Sequence, residues 1–297
     1  MRRVVEVPGT LDLMITGRCN LACPFCYGPD PTARHELSVD EWKGLIDFVC
    51  DQGVSHFVLA GGEPTIFAGL PDVLRHLKAR GAWTALQTNG SSLERVRETF
   101  EVIDWICLPV DGIDEETQSL LRTSSVHTRD VLRVIELLRA GPHRPSLKIG
   151  TVVTSANIRA IEAMARFVAE LKPAVWKLYE LRPRGAGRAS YDALRVTKAD
   201  WSELERRIAG LALGFPVALS KASESNRAYL IVNPDSRLLV PDGDFYLEFG
   251  RLLGDDGLFS MTNWVNALNA LRIESQESNM RKSFAGSAST GRGRLID

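Results

Sequence analysis

The chain lacks any apolar run approaching the roughly 18 residues that a membrane-spanning helix needs, which excludes a helical membrane protein. It also lacks an excess of charge of either sign: 36 Lys+Arg stand against 37 Asp+Glu, a formal net charge of −1. A nucleic-acid-binding surface is therefore not expected, although one local basic pocket is compatible with that balance. The first residues, Met1-Arg2-Arg3-Val4-Val5-Glu6, hold no apolar stretch of signal-peptide length, and the expected location is cytoplasmic. Cysteine is scarce and odd in number, five in 297 residues. Secreted disulfide scaffolds spread an even number of cysteines along a short chain. Here Cys19, Cys23 and Cys26 crowd one short segment, which points to metal ligation.

Apolar runs alternate with amphipathic stretches along most of the chain. The runs Leu11–Ile15, His56–Ala60, Trp83–Gln87, Trp105–Val110, Leu147–Val153 and Val175–Leu181 read as strands. Between them Ser38–Asp51, Leu70–Ala79, Ser92–Thr99, Arg129–Arg139 and Ile158–Leu171 read as helices, the first with Ser38 and Glu41 at capping-box spacing. Strict alternation predicts a parallel sheet with helices outside it, and periodicity leaves a barrel and a doubly wound sheet equally open. After Leu181 the rhythm changes. The segment Arg182–Arg188 reads as a basic loop without regular structure. A helix over Ala199–Ala212, a hairpin of Tyr229–Val232 with Leu238–Val240, and a helix over Trp264–Ile273 follow. The Gly/Ser/Ala/Arg-rich end is expected to be disordered.

The cysteines are spaced C-x3-C-x2-C and lie just after the first strand, at the edge where parallel α/β folds place their sites. Iron–sulfur cubanes ordinarily take four thiolates, so three leave one iron with an open position. A zinc ion completed by His35 or Cys50 is the alternative, but structural zinc usually pairs two separated knuckles and no second pair exists. The second strand ends in Gly61-Gly62-Glu63-Pro64, where two glycines let a ligand approach the backbone beside one carboxylate. Cys50 and Cys107 read as small core hydrophobes, which leaves no thiols for a second cluster.

These two motifs, in this order, resemble the radical SAM superfamily over about residues 10–182. The resemblance implies a partial (β/α)6 barrel with a C-terminal α+β extension. It implies a [4Fe-4S] cluster on Cys19, Cys23 and Cys26, with S-adenosylmethionine chelating the open iron. Gly61, Gly62, Glu63 and Pro64 would then line its methionyl end, Tyr27 its adenine, and Thr88 and Asn89 a polar patch nearby. A reduced cluster would cleave S-adenosylmethionine to a 5′-deoxyadenosyl radical that takes hydrogen from the substrate, while the protein positions the bond and excludes side reactions. An external one-electron reductant of flavodoxin or ferredoxin type is implied as partner. The expected division is a core over 1–182, an extension over 183–282 covering the barrel, and a tail over 283–297.

The C-terminal half resembles viperin and its relatives, which dehydrate nucleoside triphosphates. The residues that carry this are Leu171–Tyr179, Lys148-Ile149-Gly150, and Ser225-Asn226 followed by Tyr229-Leu230-Ile231. By that resemblance Lys148 and Lys177 bind a substrate anion, with Arg122 a third contact. Arg182, Arg184 and Arg188 of the basic loop are candidate guanidinium clamps for phosphate or carboxylate. Departures from that pattern stand at Pro109, at Gly150 and in Tyr27-Gly28-Pro29-Asp30. The leading expectation is a radical SAM enzyme acting on a small anionic, nucleotide-like substrate. Alternatives are a peptide-modifying radical SAM enzyme and a non-catalytic iron–sulfur protein.

Overall fold

Short apolar strands that each end in a polar turn assemble into a single sheet in the computed structural model, which describes residues 8–28 and 36–271. The first half runs β1 (Leu11–Met14), α1 (Val39–Asp51), β2 (His56–Ala60), α2 (Leu70–Ala79), β3 (Trp83–Gln87), α3 (Leu93–Arg97) and β4 (Trp105–Pro109). Then come α4 (Glu115–Arg122), α5 (His127–Ala140), β5 (Ser146–Val153), α6 (Ile161–Leu171) and β6 (Val175–Glu180). The remainder is α7 (Gly187–Leu194), α8 (Lys198–Ala209), β7 (Val217–Ser220), β8 (Leu230–Val232), β9 (Arg237–Asp242), β10 (Phe245–Arg251) and α9 (Met261–Asn269).

The strand order is β10-β9-β8-β1-β2-β3-β4-β5-β6-β7. Strands β1 to β7 are neighbours in sequence order and all parallel. A doubly wound sheet reverses its order at a switch point. No reversal occurs here, so right-handed crossovers stack the helices on one face and the sheet curls into a partial barrel. Strand β8 lies parallel to β1 on its other side, and β9 and β10 add an antiparallel edge.

Period two divides each strand between two cores. Leu11, Leu13 and Ile15 face the helix layer, with Trp42, Leu45, Ile46 and Val49 of α1 in the same cluster. Those four form the apolar stripe of that helix, each contributing about 1.5–3 kcal/mol on burial. Ser38 caps α1 with the expected box: its side chain accepts from the Glu41 N–H, and Glu41 accepts from the Ser38 N–H at 2.7 Å. On the concave face Val58, Ala85, Trp105, Cys107 and Val175 plug the bottom of the barrel.

Several expectations change. The reading Arg182–Arg188 as wholly irregular is corrected, because Gly187 and Arg188 open α7. Helix α4 and strands β7 and β10 were not anticipated, and the residues after 182 contribute four strands to the same sheet. The expected hairpin is present as β8 and β9. The last helix begins at Met261 rather than Trp264. Pro29, Asp30, His35 and the tail over 283–297 lie outside the described residues. Among the described residues no helix is long and apolar enough to cross a membrane.

Candidate functional site

The mouth of the barrel opens into a cavity of about 740 Å³ lined from both ends of the sequence. Cys19, Cys23 and Cys26 stand on its wall, on the loop that leaves β1. That loop continues the parallel pairing beyond the strand: Gly62 N–H donates to the Thr16 carbonyl at 2.7 Å and Glu63 N–H to the Arg18 carbonyl at 2.8 Å. A Cβ on Gly61 would lie 2.4 Å from the Thr16 oxygen, and one on Gly62 would lie 2.1 Å from the Arg18 oxygen. The chain's own cysteine loop thus needs these glycines, which also line the cavity where a ligand was expected to approach.

Other elements clamp the same loop. Thr123, in the left-handed region at the end of α4, accepts from Ala22 N–H at 3.0 Å. Gly187 N–H donates to the Cys26 carbonyl at 2.8 Å, and the Tyr246 hydroxyl donates to the Tyr27 carbonyl at 2.7 Å. Gly185, at φ +55°, sits so close that a Cβ would fall 2.1 Å from the Gly28 oxygen. The Gln87 side chain donates to the Tyr27 hydroxyl at 3.3 Å, and Tyr27 packs beside Met14 and Ile231.

Arg122 reaches the cavity at its cysteine end. Its Nε donates to Asp111 at 2.5 Å, its Nη1 lies 3.7 Å from the Cys23 sulfur, and its guanidinium stacks over the Phe25 ring. Asp111 is fully buried and also accepts from Val152 N–H. Burial pushes the Cys19 and Cys23 thiols up, while Arg122 pulls Cys23 back toward the thiolate. Arg122, expected among the substrate contacts, thus stands on the cavity wall with a cysteine and an aspartate as its protein partners.

Glu63 is 1% exposed and braced rather than free. One carboxylate oxygen accepts from Thr65 N–H at 3.1 Å, from the Thr65 hydroxyl, and from the Thr88 hydroxyl at 2.6 Å. The other accepts from Asn89 N–H at 2.7 Å. Burial nonetheless raises its pKa. The carboxylate ties the end of β2 to the end of β3, which explains why Thr88 and Asn89 stand beside it on the wall. Asn89 extends the network through its amide to Asn20 at 2.9 Å. Pro64 is a correction: it opens a buried 3-10 turn, Pro64–Ile66, and is absent from the cavity wall.

Deeper in the barrel, Lys148 and Gly150 of β5 and Lys177 and Tyr179 of β6 line the wall by strand alternation. The ammonium groups lie 5.8 Å and 5.0 Å from the Tyr179 ring centroid, for Lys148 and Lys177 respectively. Gly150 leaves room for that ring, since a Cβ there would sit 3.3 Å from its edge. Both lysines are buried, at 5% and 2% exposure, so neither side chain snorkels to solvent. Arg182 joins the wall and donates to the Lys221 carbonyl at 3.0 Å. Arg184 does not join it. It is buried behind the wall, where it donates to the Gly243 carbonyl at 2.8 Å and to Asn226, and stacks over Tyr246. Its expected role as an anion clamp in this cavity is corrected to a tie between the basic loop and the β9–β10 turn.

Sequence reasoning missed Asp12, which lines the cavity from β1. Burial raises its pKa to about 7, against the opposing pull of Lys148 and Lys177. The signal was present in the strand: Asp12 alternates with Leu11 and Leu13, on the inward parity shared by Met14.

The three cysteines are free thiols on one wall, and Cys19 is exposed. Among the described residues no three His, Cys, Asp or Glu side chains converge on a point that would hold a single metal ion. A cubane spreads its thiolates over three separate irons, and three thiols on one short loop fit that donor set. The volume, within the range of roughly 300–1,000 Å³ usual for ligand sites, leaves room for small molecules beside it.

A model of the radical SAM superfamily matches residues 13–168. A curated S-adenosylmethionine-dependent nucleotide dehydratase of Flammeovirga pacifica is 25% identical over 248 residues, covering 79% of this chain and 83% of that protein. A PqqA peptide cyclase of Rhizobium meliloti is 35% identical over 108 residues, covering 35% of this chain and 29% of its own. Among solved structures, Streptococcus suis SuiB bound to S-adenosylmethionine superposes with a TM-score of 0.64 at 17% identity, over 78% of this chain and 59% of SuiB. The structure of anSMEcpe with bound AdoMet does so at 0.61 and 16%, over 93% and 88%. At such identities the structural likenesses speak for the fold alone.

Proposed function

From the premise that this chain belongs to the radical SAM superfamily, we propose that it acts on a small anionic, nucleotide-like substrate held by Lys148 and Lys177. The chain is an enzyme of a superfamily that uses a [4Fe-4S] cluster and S-adenosylmethionine together with an external reductant. In this reading Cys19, Cys23 and Cys26 hold the cluster, and Gly61, Gly62, Glu63, Thr88, Asn89 and Tyr27 surround S-adenosylmethionine. The bound pair supplies one-electron reductive cleavage and, through it, hydrogen abstraction from the substrate. The reductant is a flavodoxin or ferredoxin.

What carries the reading is one cavity that holds the cysteine triplet at one end and two buried lysines at the other. Glu63 fixes the ends of β2 and β3 around the cofactor end. Arg122 holds positive charge beside Cys23, where ligation needs the thiolate. The plug below, from Val58 to Val175, closes the barrel bottom to water. Lysine pairs in a shielded cavity concentrate an anion although the whole surface is near neutral. The named nucleotide dehydratases among the relatives support this substrate class.

The test is anaerobic reconstitution followed by a metabolite screen for 5′-deoxyadenosine above the uncoupled background. Lys148→Met and Lys177→Met keep the apolar stem and delete the charge. Substrate-stimulated product should fall at least roughly tenfold in each, equivalent to about 1.4 kcal/mol, while uncoupled cleavage persists. Full stimulated activity in the double Met variant would remove the anion subsite. A peptide substrate is the second reading, favoured by the 35% identity to a peptide cyclase; stimulation by peptides rather than nucleotides in the same screen would select it.

A further inference from the structure

The lysine end of the cavity holds a carboxylate that neither the fold nor the anion subsite requires. Asp12 stands on the inward face of β1, separated from β5 by three strands, and lines the same cavity as Lys148 and Lys177. A carboxylate in mid-strand, beside a buried apolar core, is costly unless it meets opposite charge or donors. The titratable groups whose charge bears on it come from several elements around the cavity. They are Lys148 on β5, Lys177 on β6, the Cys107 thiol on β4, and the phenols of Tyr27 and Tyr229 on flanking loops. Tyr179 completes the ring through its contacts with both lysines.

We propose that Asp12 is a specificity-determining residue, which makes the subsite discriminate against bare polyanions and favour a ligand pairing one anionic group with a cationic or hydrogen-bond-donating group. This inference rests on the anion subsite proposed above and narrows its substrate class. Two ammonium groups and one carboxylate sum to one positive charge. A polyanion attracted by the lysines meets repulsion from the carboxylate in a water-poor site, where opposing charges are weakly screened. A ligand that brings its own ammonium or hydroxyl satisfies the carboxylate and the lysines together. A bare polyanion enters well only when Asp12 takes up a proton, so its binding is coupled to proton uptake.

The experiment uses reconstituted protein loaded with S-adenosylmethionine and two calorimetric probes. One is trimetaphosphate, a polyanion whose charge does not change over the pH range used. The other is O-phosphorylethanolamine, which joins an anionic group to an ammonium. At about pH 8 the wild type should prefer phosphorylethanolamine. Asp12→Asn should shift the affinity ratio toward trimetaphosphate by roughly tenfold or more. A measurement that needs no variant follows trimetaphosphate binding to the wild type in buffers of different ionisation enthalpy, where net proton uptake is expected near pH 8. An unchanged ratio in Asp12→Asn, or absence of proton uptake, overturns the role of Asp12. Trimetaphosphate binding to neither wild type nor Asp12→Asn, or equal binding by Asp12→Asn/Lys148→Met and Asp12→Asn, overturns the anion subsite itself.

Discussion

Single side chains in this cavity do two kinds of work, and variants separate them. Glu63 accepts from two backbone N–H groups and two hydroxyls. Glu63→Ala should therefore cost about 1–3 kcal/mol for each buried N–H left unpaired, read by urea unfolding. It should also weaken S-adenosylmethionine binding by about tenfold or more if the carboxylate meets the cofactor as proposed. A loss of stability with an unchanged dissociation constant would leave Glu63 a brace alone. Asp12 adds a pH dependence of the opposite sign to most carboxylates. Its pKa of about 7 lies above the ordinary 3.8, so between those values the folded chain holds a proton that the unfolded chain has lost. Stability should then fall as pH rises across that window. The urea midpoint of the wild type should drop more between about pH 5 and about pH 7.5 than that of Asp12→Asn. Parallel curves for the two proteins would refute the raised value.

Among elements, the loop from β1 to the cysteines is set by backbone contact, and glycine substitutions report it. Gly62→Ala drives a Cβ to 2.1 Å from the carbonyl of Arg18, the residue before Cys19. Gly185→Ala does the same against Gly28. Each should cost about 1–3 kcal/mol by overpacking and lower the iron retained after reconstitution. Gly81→Ala is the control, because Gly81 has φ +70° with nothing within 4 Å of its Cβ position. It should carry the backbone strain, of about 1–2 kcal/mol, with iron content unchanged. Equal iron loss in all three would assign the effect to general instability. The same elements show what could be read beforehand. His56–Ala60 and Trp83–Gln87 were legible as strands because short, mostly apolar runs between turns have few other solutions in an alternating α/β chain. Helix α4 was not, since Glu115–Arg122 is largely polar and buries only Gln118 and Leu121. Strand β10 is an edge strand with no fully buried residue, so its sequence carries little apolar pattern. The cysteine triplet and the Gly-Gly-Glu turn were legible because they are local. The clamp from Gly185, Gly187 and Tyr246 was not, because only the fold brings residues so distant in sequence onto the cysteine loop.

For the molecule as a whole, the two faces of the sheet decide how many clusters it can hold. The triplet lies at the mouth of the concave face. Of the two remaining thiols, Cys107 projects into that face and is buried with Val58, Ala85 and Trp105. Cys50 belongs to α1 and packs against the helix-side core, so the sheet itself stands between the two. A second cubane would need several thiolates on one surface, and this topology cannot supply them from Cys50 and Cys107. Reconstituted protein should accordingly bind about four irons and four sulfides per chain, the content of one cubane. Cys23→Ala should abolish that content, since two thiolates remain where three are needed. Cys50→Ala and Cys107→Ala should retain it in full, and their unfolding midpoints should move only by the small cost of a lost core sulfur. Cys107→Ala tests the inner face more sharply, because its thiol lies among the groups that surround Asp12 and Lys148. Iron near eight per chain, or iron lost from either single variant, would show that these thiols ligate metal and that the sheet does not separate them as described.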